Sequence, residues 1–276
     1  MVIRRIFSDS DDTIALHVDK GARSLKHAYD GGGLLRLYPN VGFSIVTGQP
    51  YSHTIDVVGA VNTPGPHVYE MGYLIGVEKS EPEILLSKDD ANPQIACVKR
   101  LKRKVAEDNF PAYAMKRGLR ANLMLAKKAM LTFLIEPPER GKDFIGQLWP
   151  GVVSDYGDDE LKKYLAEGSI RLISPGYAVD VMPQGVGKGN AVRHVMESYE
   201  INPAETLVLV DSGHSDMEMV DVVREHGYAA CPANSTHDII RAVQDFGERG
   251  YVSELTCDQG AFPDMLRHAK RTWGFA

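Results

Sequence analysis

The sequence predicts an α/β fold in which a mainly parallel sheet is covered by helices on both faces. Short apolar runs alternate with helix-like segments towards both ends of the 276-residue chain. The clearest runs are Ile3–Phe7, Phe43–Val46 and Thr206–Val210, and Tyr51–Val61 has the pattern of a helix. Short apolar strands that alternate with helices are typical of a parallel sheet. We therefore expect both chain ends to contribute strands to one doubly wound, Rossmann-like sheet.

Three further segments of the first third have clear patterns. Val2–Ser8 is predicted as the buried strand that contains the first apolar run. A helical region is predicted loosely from Val18 to Leu37, with the glycines at 31–33 interrupting it. The segment Val68–Ile75 is predicted to form two short strands around Gly72.

The middle of the chain differs, because charge-rich helices are predicted from about residue 81. Apolar residues recur there at near-helical spacing, namely Ile95, Val98, Leu101 and Val105. The acidic residues at 158–160 are placed to open another helix, at its positive end. Strands are predicted at Leu131–Ile135, Ile170–Ser174 and Tyr177–Met182. We therefore predict an α+β domain over residues 82–178, inserted into a core domain of residues 1–81 and 179–276.

The composition is that of an ordinary globular protein, with 43% hydrophobic and 25% charged residues. The net charge of −6 gives no reason to expect nucleic acid or an anionic membrane as a partner. No apolar stretch approaches the length of a membrane span, and Arg4 and Arg5 interrupt the start, so no signal peptide is visible. The cysteines Cys97, Cys231 and Cys257 lack metal-binding spacing, which favours reduced thiols and a cytoplasmic location.

The most informative residues lie at 9–13, directly after the first predicted strand, and read Asp-Ser-Asp-Asp-Thr. The carboxylates of Asp9 and Asp11 are costly to hold together there, and a hard divalent cation such as Mg²⁺ would relieve their repulsion. One is then a candidate nucleophile and the other a candidate acid and base. Taken alone, such a motif is more often an acidic turn. Three further elements downstream favour the chemical interpretation.

Two of these elements could bind a phosphoryl group, and both lie at the edge where an open α/β sheet binds ligands. Thr47 and Gly48 follow the second strand and offer a hydroxyl and turn amides. Lys188 lies in a glycine loop at 185–189 that opens a helix, which favours an anion. Taken alone, the first is compatible with a plain turn and the second with an exposed lysine.

The last element follows the Thr206–Val210 strand and contains Asp211 and Asp216. Two more carboxylates on a strand-end loop would complete an oxygen-rich metal site. The alternative is a helix-capping turn, because Asp and Ser are good N-caps. His214 within this loop is a candidate ligand or acid, although a plain loop histidine is the more common case.

In chain order, the elements are strand–DxDxT, strand–Thr, loop–Lys and strand–DxxxxD. This set resembles the haloacid dehalogenase superfamily of phosphotransferases. MPQGVGKGNAV at 182–192 and TLVLVDSGHSDMEM at 206–219 resemble its Cof-like and sucrose-phosphatase-like branch, in which a C2B cap follows the second motif. VYEMGYLI at 68–75 and CPANSTHDII at 231–240, which contains Asn234, resemble the same branch. The resemblance covers both core segments, and covers the middle only in position and texture.

The resemblance implies the chemistry of the first motif and the phosphate contacts. Asp9 would be the nucleophile that forms an aspartyl-phosphate. Asp11 would protonate the leaving oxygen and then activate water, while its main-chain carbonyl would bind Mg²⁺. Thr47, Gly48 and Lys188 would hold the phosphoryl oxygens, because a phosphoryl transition state spreads its charge over them.

The metal site implied by the resemblance contains Asp9, Asp11 and Asp211, with Asp216 as a ligand or as a carboxylate behind the ligands. Other residues of these loops are candidates for the site, namely Asp12, Ser212, His214, Ser215 and Asn234. The sequence departs from the family pattern at three points. Asp12 and Val210 stand where glycine is usual, and the fourth motif is one residue longer. The longer spacing leaves open whether Asp216 or Ser215 reaches the metal.

The function implied is a Mg²⁺-dependent phosphatase of a small phosphorylated metabolite. A sugar phosphate or a phosphorylated acid such as mannosyl-3-phosphoglycerate or phosphoglycolate is the expected substrate class. A phosphomutase of the same superfamily and a non-catalytic binding or regulatory protein are the alternatives. The cap would set substrate choice by closing over the site. The basic run at 99–104 is interpreted as a solvated helix face rather than a substrate contact. Oligomeric state is not predicted.

Overall fold

The structure is a computed structural model that describes residues 2–17, 23–76, 83–84, 92–128, 130–137, 140–174 and 178–276. The chain divides into two compact units. Unit 1 comprises Met1–Leu85 and Gly187–Ala276, and unit 2 comprises Leu86–Val186. The divisions therefore fall at 85/86 and 186/187, against the predicted 81/82 and 178/179.

Unit 1 begins with strands and helices in alternation: β1 (Arg5–Ser8), β2 (Leu16–His17), β3 (Arg23–Ser24), α1 (Lys26–Leu35), β4 (Gly42–Ile45), α2 (Tyr51–Val61), β5 (His67–Tyr69), β6 (Leu74–Gly76) and β7 (Glu83–Ile84). Unit 2 follows: α3 (Pro93–Glu107), α4 (Phe110–Met115), β8 (Arg120–Leu123), β9 (Leu131–Glu136), α5 (Gly141–Asp143), α6 (Trp149–Tyr156), α7 (Asp159–Ala166), β10 (Ile170–Ile173) and β11 (Ala178–Pro183). The chain then returns to unit 1: α8 (Lys188–Ser198), β12 (Thr206–Leu209), α9 (Gly213–Val223), β13 (Tyr228–Cys231), α10 (His237–Gln244), β14 (Gly250–Val252) and α11 (Ala261–Thr272).

The sheet of unit 1, among the described residues, has five parallel strands in the order β14-β13-β12-β1-β4. β1 lies between β12 and β4, so Ser8 at its end pairs with Leu209 and Ile45. The four residues of β1 and of β12 are all buried, as the apolar runs predicted. The predicted α/β fold with a parallel sheet completed by both chain ends is confirmed.

Several predicted elements are confirmed in unit 1. α2 spans the predicted Tyr51–Val61. The segment Val68–Ile75 forms the antiparallel strands β5 and β6 around a 3₁₀ turn at Glu70–Gly72. Helices α8, α9 and α10 pack their apolar residues with those of the sheet in one cluster, which includes Val192, Val220 and Val243.

The prediction of a helix from Val18, interrupted by glycines, is wrong at both points. Leu16–His17 and Arg23–Ser24 pair as short antiparallel strands, the residues at 18–22 lie outside the described part, and α1 begins at Lys26. The glycines at 31–33 lie inside the helix. A Cβ on Gly31 would lie 2.1 Å from the Phe262 ring, so glycine permits close packing of α1 on α11. Tertiary packing thus outweighs low helix propensity.

Unit 2 contains an antiparallel sheet in the order β10-β11-β9-β8. Its helices bury a common apolar core against that sheet, including Val98, Leu101 and Val105 of α3. Ile95, the fourth residue predicted at helical spacing, is also buried. Asp158 caps α7 by accepting the amide of Leu161 at 2.9 Å, as its position predicted. The predicted strand pair at 170–182 is confirmed, except that Pro175–Tyr177 lie outside the described residues.

The basic run at 99–104 is held within unit 2. Arg100 pairs with Asp158 at 3.3 Å and with Glu160. Lys102 Nζ donates to the carbonyl oxygens of Leu125, at 3.0 Å, and Lys127, and Lys104 Nζ donates to that of Tyr156 at 3.2 Å. These cations hold loops and a helix end of unit 2. Across the described residues, the helices are too short or too polar to cross a bilayer.

Candidate active site

The carboxylates of two motifs meet because β1 and β12 are neighbours in register. Asp9 follows β1 and donates its amide to Leu209 O at 2.9 Å, and Asp211 lies two residues beyond the end of β12. Carboxyl ends of parallel strands share one edge of a sheet, so residues far apart in sequence arrive together. Asp9, Asp211 and Asp216 each place a carboxylate oxygen within 4.8 Å of the others, and all three are buried.

Lys188 is the cation at the centre of this cluster. Its Nζ lies 2.5 Å from Asp9 Oδ1 and 2.6 Å from Asp216 Oδ1, and the residue is 4% exposed. Lys188 is the first residue of α8, which packs on α9. A Cβ on the next residue, Gly189, would lie 2.8 Å from Glu218 of α9. Glycine there lets the two helices approach closely enough to bring the ammonium to the carboxylates.

Asp216 closes the loop of the fourth motif. It is fully buried in the first turn of α9, where its Oδ2 accepts the amides of Asp211 at 2.9 Å and Ser212 at 3.2 Å. Oδ1 takes the Lys188 ammonium. With the longer spacing between the two aspartates, Asp216 lies in the first turn of α9 rather than in the loop that follows β12. From there it accepts hydrogen bonds from the backbone of that loop and from Lys188.

Burial dominates the electrostatics of the cluster. It raises the pKa of Asp9 to about 6, against the lowering effect of Lys188. Burial, with Asp216 and Asp9 nearby, raises the pKa of Asp211 well above its usual range. Burial alone would lower the pKa of Lys188, but Asp216 and Asp9 outweigh it, so the net shift is upwards and the ammonium stays charged. Three carboxylates against one ammonium leave surplus negative charge in a buried place.

The loop after Asp9 turns sharply and ties the first motif to the fourth. Asp12, which stands where glycine is usual, has a positive φ of 56° and donates its amide to Ala15 O at 2.9 Å. Asp is one of the few non-glycine residues that adopt this conformation readily. Thr13 Oγ1 donates to Asp211 Oδ1 at 3.1 Å. Thr13, for which the sequence predicted no role, thus provides a contact between the first motif and Asp211 of the fourth.

The Thr47 loop approaches Asp11 through the residue that follows it. Gln49 donates its amide to Thr47 Oγ1 at 3.1 Å and its side-chain Nε2 to Asp11 Oδ2 at 2.9 Å. Thr47 and Gln49 are buried, and the Met71 side chain packs over Gly48. Sequence reasoning missed Gln49, because it ended at the Thr-Gly pair. Gln49 directly follows Thr47 and Gly48 in the sequence, and this adjacency alone could have identified it as a candidate site residue.

The remaining candidates lie around this cluster. Ser212 is the N-cap residue of α9, and Ser215 is buried in its first turn. The His214 side chain is 67% exposed, and its Nε2 lies 3.9 Å from Glu218 Oε1. Asn234 Oδ1 accepts the amide of Cys257 at 2.8 Å, so it holds the loop before α11. His214 and Asn234 are not part of the buried carboxylate group.

The donor set suits a hard divalent cation. All three clustered side chains are carboxylates, the ligand type that Mg²⁺ and Ca²⁺ prefer over softer metals. Their surplus charge is the feature that a cation would neutralise. The residues present therefore fit Mg²⁺.

A profile of haloacid dehalogenase-like hydrolases matches residues 6–246. The chain belongs to this family. The match includes all four motifs, and the predicted superfamily is confirmed.

Among curated proteins, the phosphoglycolate phosphatases of Thermoplasma volcanium and Thermoplasma acidophilum are similar to part of the chain. They are 31% identical over 97 residues and 35% identical over 99 residues. Each match covers 35% of this chain and 42% of the relative, so the chain spans less than half of their length in these matches.

Among solved structures, a protein from Thermoplasma acidophilum has a TM-score of 0.63 at 18% identity, covering 98% of this chain and 99% of that one. The sucrose-phosphatase of Synechocystis sp. PCC6803, solved with sucrose and phosphate, has a TM-score of 0.61 at 19% identity with the same coverage. The likeness extends over both units, and it confirms the predicted core fold with an inserted α+β cap.

Proposed function

We propose that this chain is a Mg²⁺-dependent phosphomonoester hydrolase that acts through an aspartyl-phosphate on Asp9. The observation that carries the proposal is the buried group of Asp9, Asp211 and Asp216 around Lys188, with Asp11 two residues from the nucleophile. A buried excess of carboxylates is costly to maintain, and such sites are commonly functional. Family membership and phosphatase-named relatives support the same activity.

In the first step, an Asp9 carboxylate oxygen attacks phosphorus, a new P–O bond forms, and the bond to the leaving oxygen breaks. Asp11 donates a proton to that leaving oxygen. In the second step, Asp11 accepts a proton from water, the water oxygen bonds to phosphorus, and the bond to Asp9 breaks. Lys188, 2.5 Å from Asp9, stays beside the reacting oxygens and neutralises their charge. Thr47 and the amide of Gly48 are proposed to hold another phosphoryl oxygen.

Asp9, the main-chain carbonyl of Asp11 and Asp211 are proposed as Mg²⁺ ligands. A bound Mg²⁺ would offset the repulsion among the carboxylates and stabilise charge on the phosphoryl oxygens. Asp216 has both of its oxygens in hydrogen bonds to Lys188 and to two amides. We therefore place it behind the ligands, where it orients the loop and the lysine.

The substrate is proposed to be a small phosphorylated acid or sugar phosphate, and phosphoglycolate is the first compound to test. This choice is supported by the names of the partial relatives. Unit 2 is proposed to act as the cap domain that selects it. The described cysteines Cys97, Cys231 and Cys257 are free and buried, which supports the proposed location in the reducing cytoplasm.

The test is phosphate release from a panel of phosphorylated acids and sugars, with Mg²⁺ or with a chelator. We expect turnover of one class that requires Mg²⁺, and a loss of at least about 10⁴-fold in Asp9→Asn. Asp221→Asn is the matched control, since Asp221 is exposed on α9 and pairs with Arg224, and it should retain full activity. A folded sample that binds Mg²⁺ and phosphate but releases none from any compound would favour the phosphomutase or non-catalytic alternative.

A further inference from the structure

We propose that Gln49 is a positioning residue for Asp11, and that it holds that carboxyl group in the orientation in which it exchanges a proton with the leaving group. The inference rests on the proposed function, in which Asp11 is the acid and base. The carrying observation is the hydrogen bond from Gln49 Nε2 to Asp11 Oδ2, 2.9 Å long. Gln49 is 8% exposed, so little water competes for that bond.

The backbone of Gln49 is fixed by neighbouring segments. Its carbonyl oxygen accepts the amide of Glu70 at 3.1 Å, and the carbonyl of Thr47 accepts the amide of Met71 at 3.0 Å. Its own amide donates to Thr47 Oγ1. A side chain that starts from a pinned backbone loses less conformational freedom when it makes its contact.

The turn that pins this loop is itself strained. Glu70 and Met71 have φ values of 48° and 57°, in the left-handed region that residues with a Cβ rarely adopt. Such residues cost about 1–3 kcal/mol each and persist where the surrounding structure demands their geometry. Both residues are buried, and both donate their amides to the Thr47–Gln49 loop. The strain is therefore located where it fixes the position of the Gln49 side chain.

The chemistry of the amide suits a group that must both hold and release a proton. The Oδ2 atom can accept this hydrogen bond in both protonation states of the carboxyl group. Glutamine is neutral, so it orients Asp11 through a hydrogen bond and adds no charge to the site.

The test separates proton transfer from general structural damage by the choice of leaving group. An alkyl phosphate needs a proton on its leaving oxygen, whereas the p-nitrophenolate of p-nitrophenyl phosphate leaves without one. The readout is kcat/KM, because it reports phosphoryl transfer to Asp9 and leaves out the later hydrolysis of the aspartyl-phosphate, which both substrates share. We expect Gln49→Leu to lower kcat/KM for the alkyl phosphate by about 10–100-fold, part of the 10²–10⁴ that acid–base catalysis supplies. For p-nitrophenyl phosphate we expect kcat/KM to change by less than about threefold. Gln49→Met serves as a second variant if Gln49→Leu does not fold.

Two controls complete the experiment. Gln244→Leu, at the exposed end of α10, should change neither rate. In the Asp11→Asn background, Gln49→Leu should cause no further loss for either substrate, because the two residues act through one group. An equal loss of kcat/KM for both substrates in Gln49→Leu and Gln49→Met would overturn the inference and leave the phosphatase intact. A wild-type protein that hydrolyses neither compound would overturn the function as well.

Discussion

Each unit contains a buried lysine held by aspartate, but the two clusters differ in charge balance. In unit 1, Lys188 contacts Asp9 and Asp216 at 2.5 and 2.6 Å, with Asp211 in the same carboxylate group. In unit 2, Lys127 Nζ lies 3.0 Å from Asp180 Oδ1. That oxygen also accepts the hydroxyl of Thr132 at 2.5 Å. The unit 2 pair is neutral, whereas the unit 1 cluster has a surplus of negative charge.

This difference separates a structural ion pair from a site built to bind cations. When either partner of a balanced buried pair is removed, the other is left as an uncompensated buried charge. Loss of either partner therefore destabilises the fold. An unbalanced cluster already contains uncompensated charge, and removal of one carboxylate relieves it. The same chemical change, aspartate to asparagine, should therefore have opposite effects on stability in the two units. Asp180→Asn and Asp211→Asn test this contrast directly, whereas His67→Gln and Gly31→Ala test two other buried features of unit 1.

The largest expected effect is in unit 2. Asp180→Asn keeps the shape but removes the charge opposite Lys127, which is 5% exposed. We expect the unfolding free energy of unit 2 to fall by about 3–5 kcal/mol. The double variant Lys127→Met/Asp180→Leu should recover most of that loss, because it removes both charges.

Urea unfolding can follow each unit separately, since the chain's two tryptophans, Trp149 and Trp273, lie one in each unit. Single Trp→Phe backgrounds leave one reporter each. Asp180→Asn should move the Trp149 transition. A change of less than about 1 kcal/mol there would mean that the lysine reaches water in the native state.

The second prediction concerns pH and is confined to unit 1. His67 is fully buried; its Nδ1 accepts the amide of Ile45 and its Nε2 lies 3.1 Å from Thr63 O. Burial lowers its pKa to about 4. The folded state keeps His67 neutral, whereas the unfolded chain takes up a proton below about 6.5. This contribution is therefore present above pH 6.5 and is lost as pH falls towards 4, by roughly 3 kcal/mol.

His67→Gln should remove a loss of roughly 3 kcal/mol that the wild type suffers between pH 6.5 and 4, read from the Trp273 transition. The raised pKa values of Asp9 and Asp211 act with the opposite sign in this range, but they act in both proteins, so the difference between wild type and His67→Gln isolates the histidine. Unit 2 is the internal comparison, because its sequence contains no histidine. Its carboxylate Asp158 has a pKa below the usual range, since the Leu161 amide and Arg100 outweigh burial. A carboxylate with a lowered pKa contributes to stability until the pH falls below its unfolded-state pKa of about 4, so Asp158 affects stability only at more acidic pH than His67 does. Equal slopes in wild type and His67→Gln would contradict the assignment.

The third prediction tests close packing in unit 1. A Cβ on Gly31 would meet the Phe262 ring at 2.1 Å, whereas one on Gly33 would have no neighbour closer than 3.7 Å. Gly31→Ala should therefore cost about 1–3 kcal/mol through overpacking. Gly33→Ala in the same helix should add about 0.5–1 kcal/mol, because alanine favours the helix. Thermal melting of the two variants side by side measures the difference, and equal shifts would show that α1 can move away from α11.

The sequence was sufficient where a pattern is local. Apolar strands followed by acids predicted β1, β12 and the approach of Asp9 to Asp211, because parallel strands bring their ends to one edge. It was insufficient where a partner lies far along the chain. The start of α1 depends on packing against Phe262, and the contact of Gln49 depends on Asp11, 38 residues away. Side-chain contacts of this kind leave no periodic signal in a single sequence.

The last prediction is that an aspartate-to-asparagine change in unit 1 raises stability, whereas Asp180→Asn in unit 2 lowers it. Asp211→Asn keeps an acceptor for Thr13 Oγ1 but removes one carboxylate from the overcharged cluster. In a chelator, we expect unit 1 to gain about 1–2 kcal/mol, read from the Trp273 transition. Mg²⁺ should stabilise the wild type, by about 2.7 kcal/mol at 100 times its Kd, and stabilise Asp211→Asn much less. If Asp211→Asn is less stable than wild type in the chelator, the carboxylates of the unit 1 cluster stabilise the fold, as Asp180 does beside Lys127. Repulsion among these carboxylates would then not destabilise unit 1, and a metal would have no such repulsion to relieve.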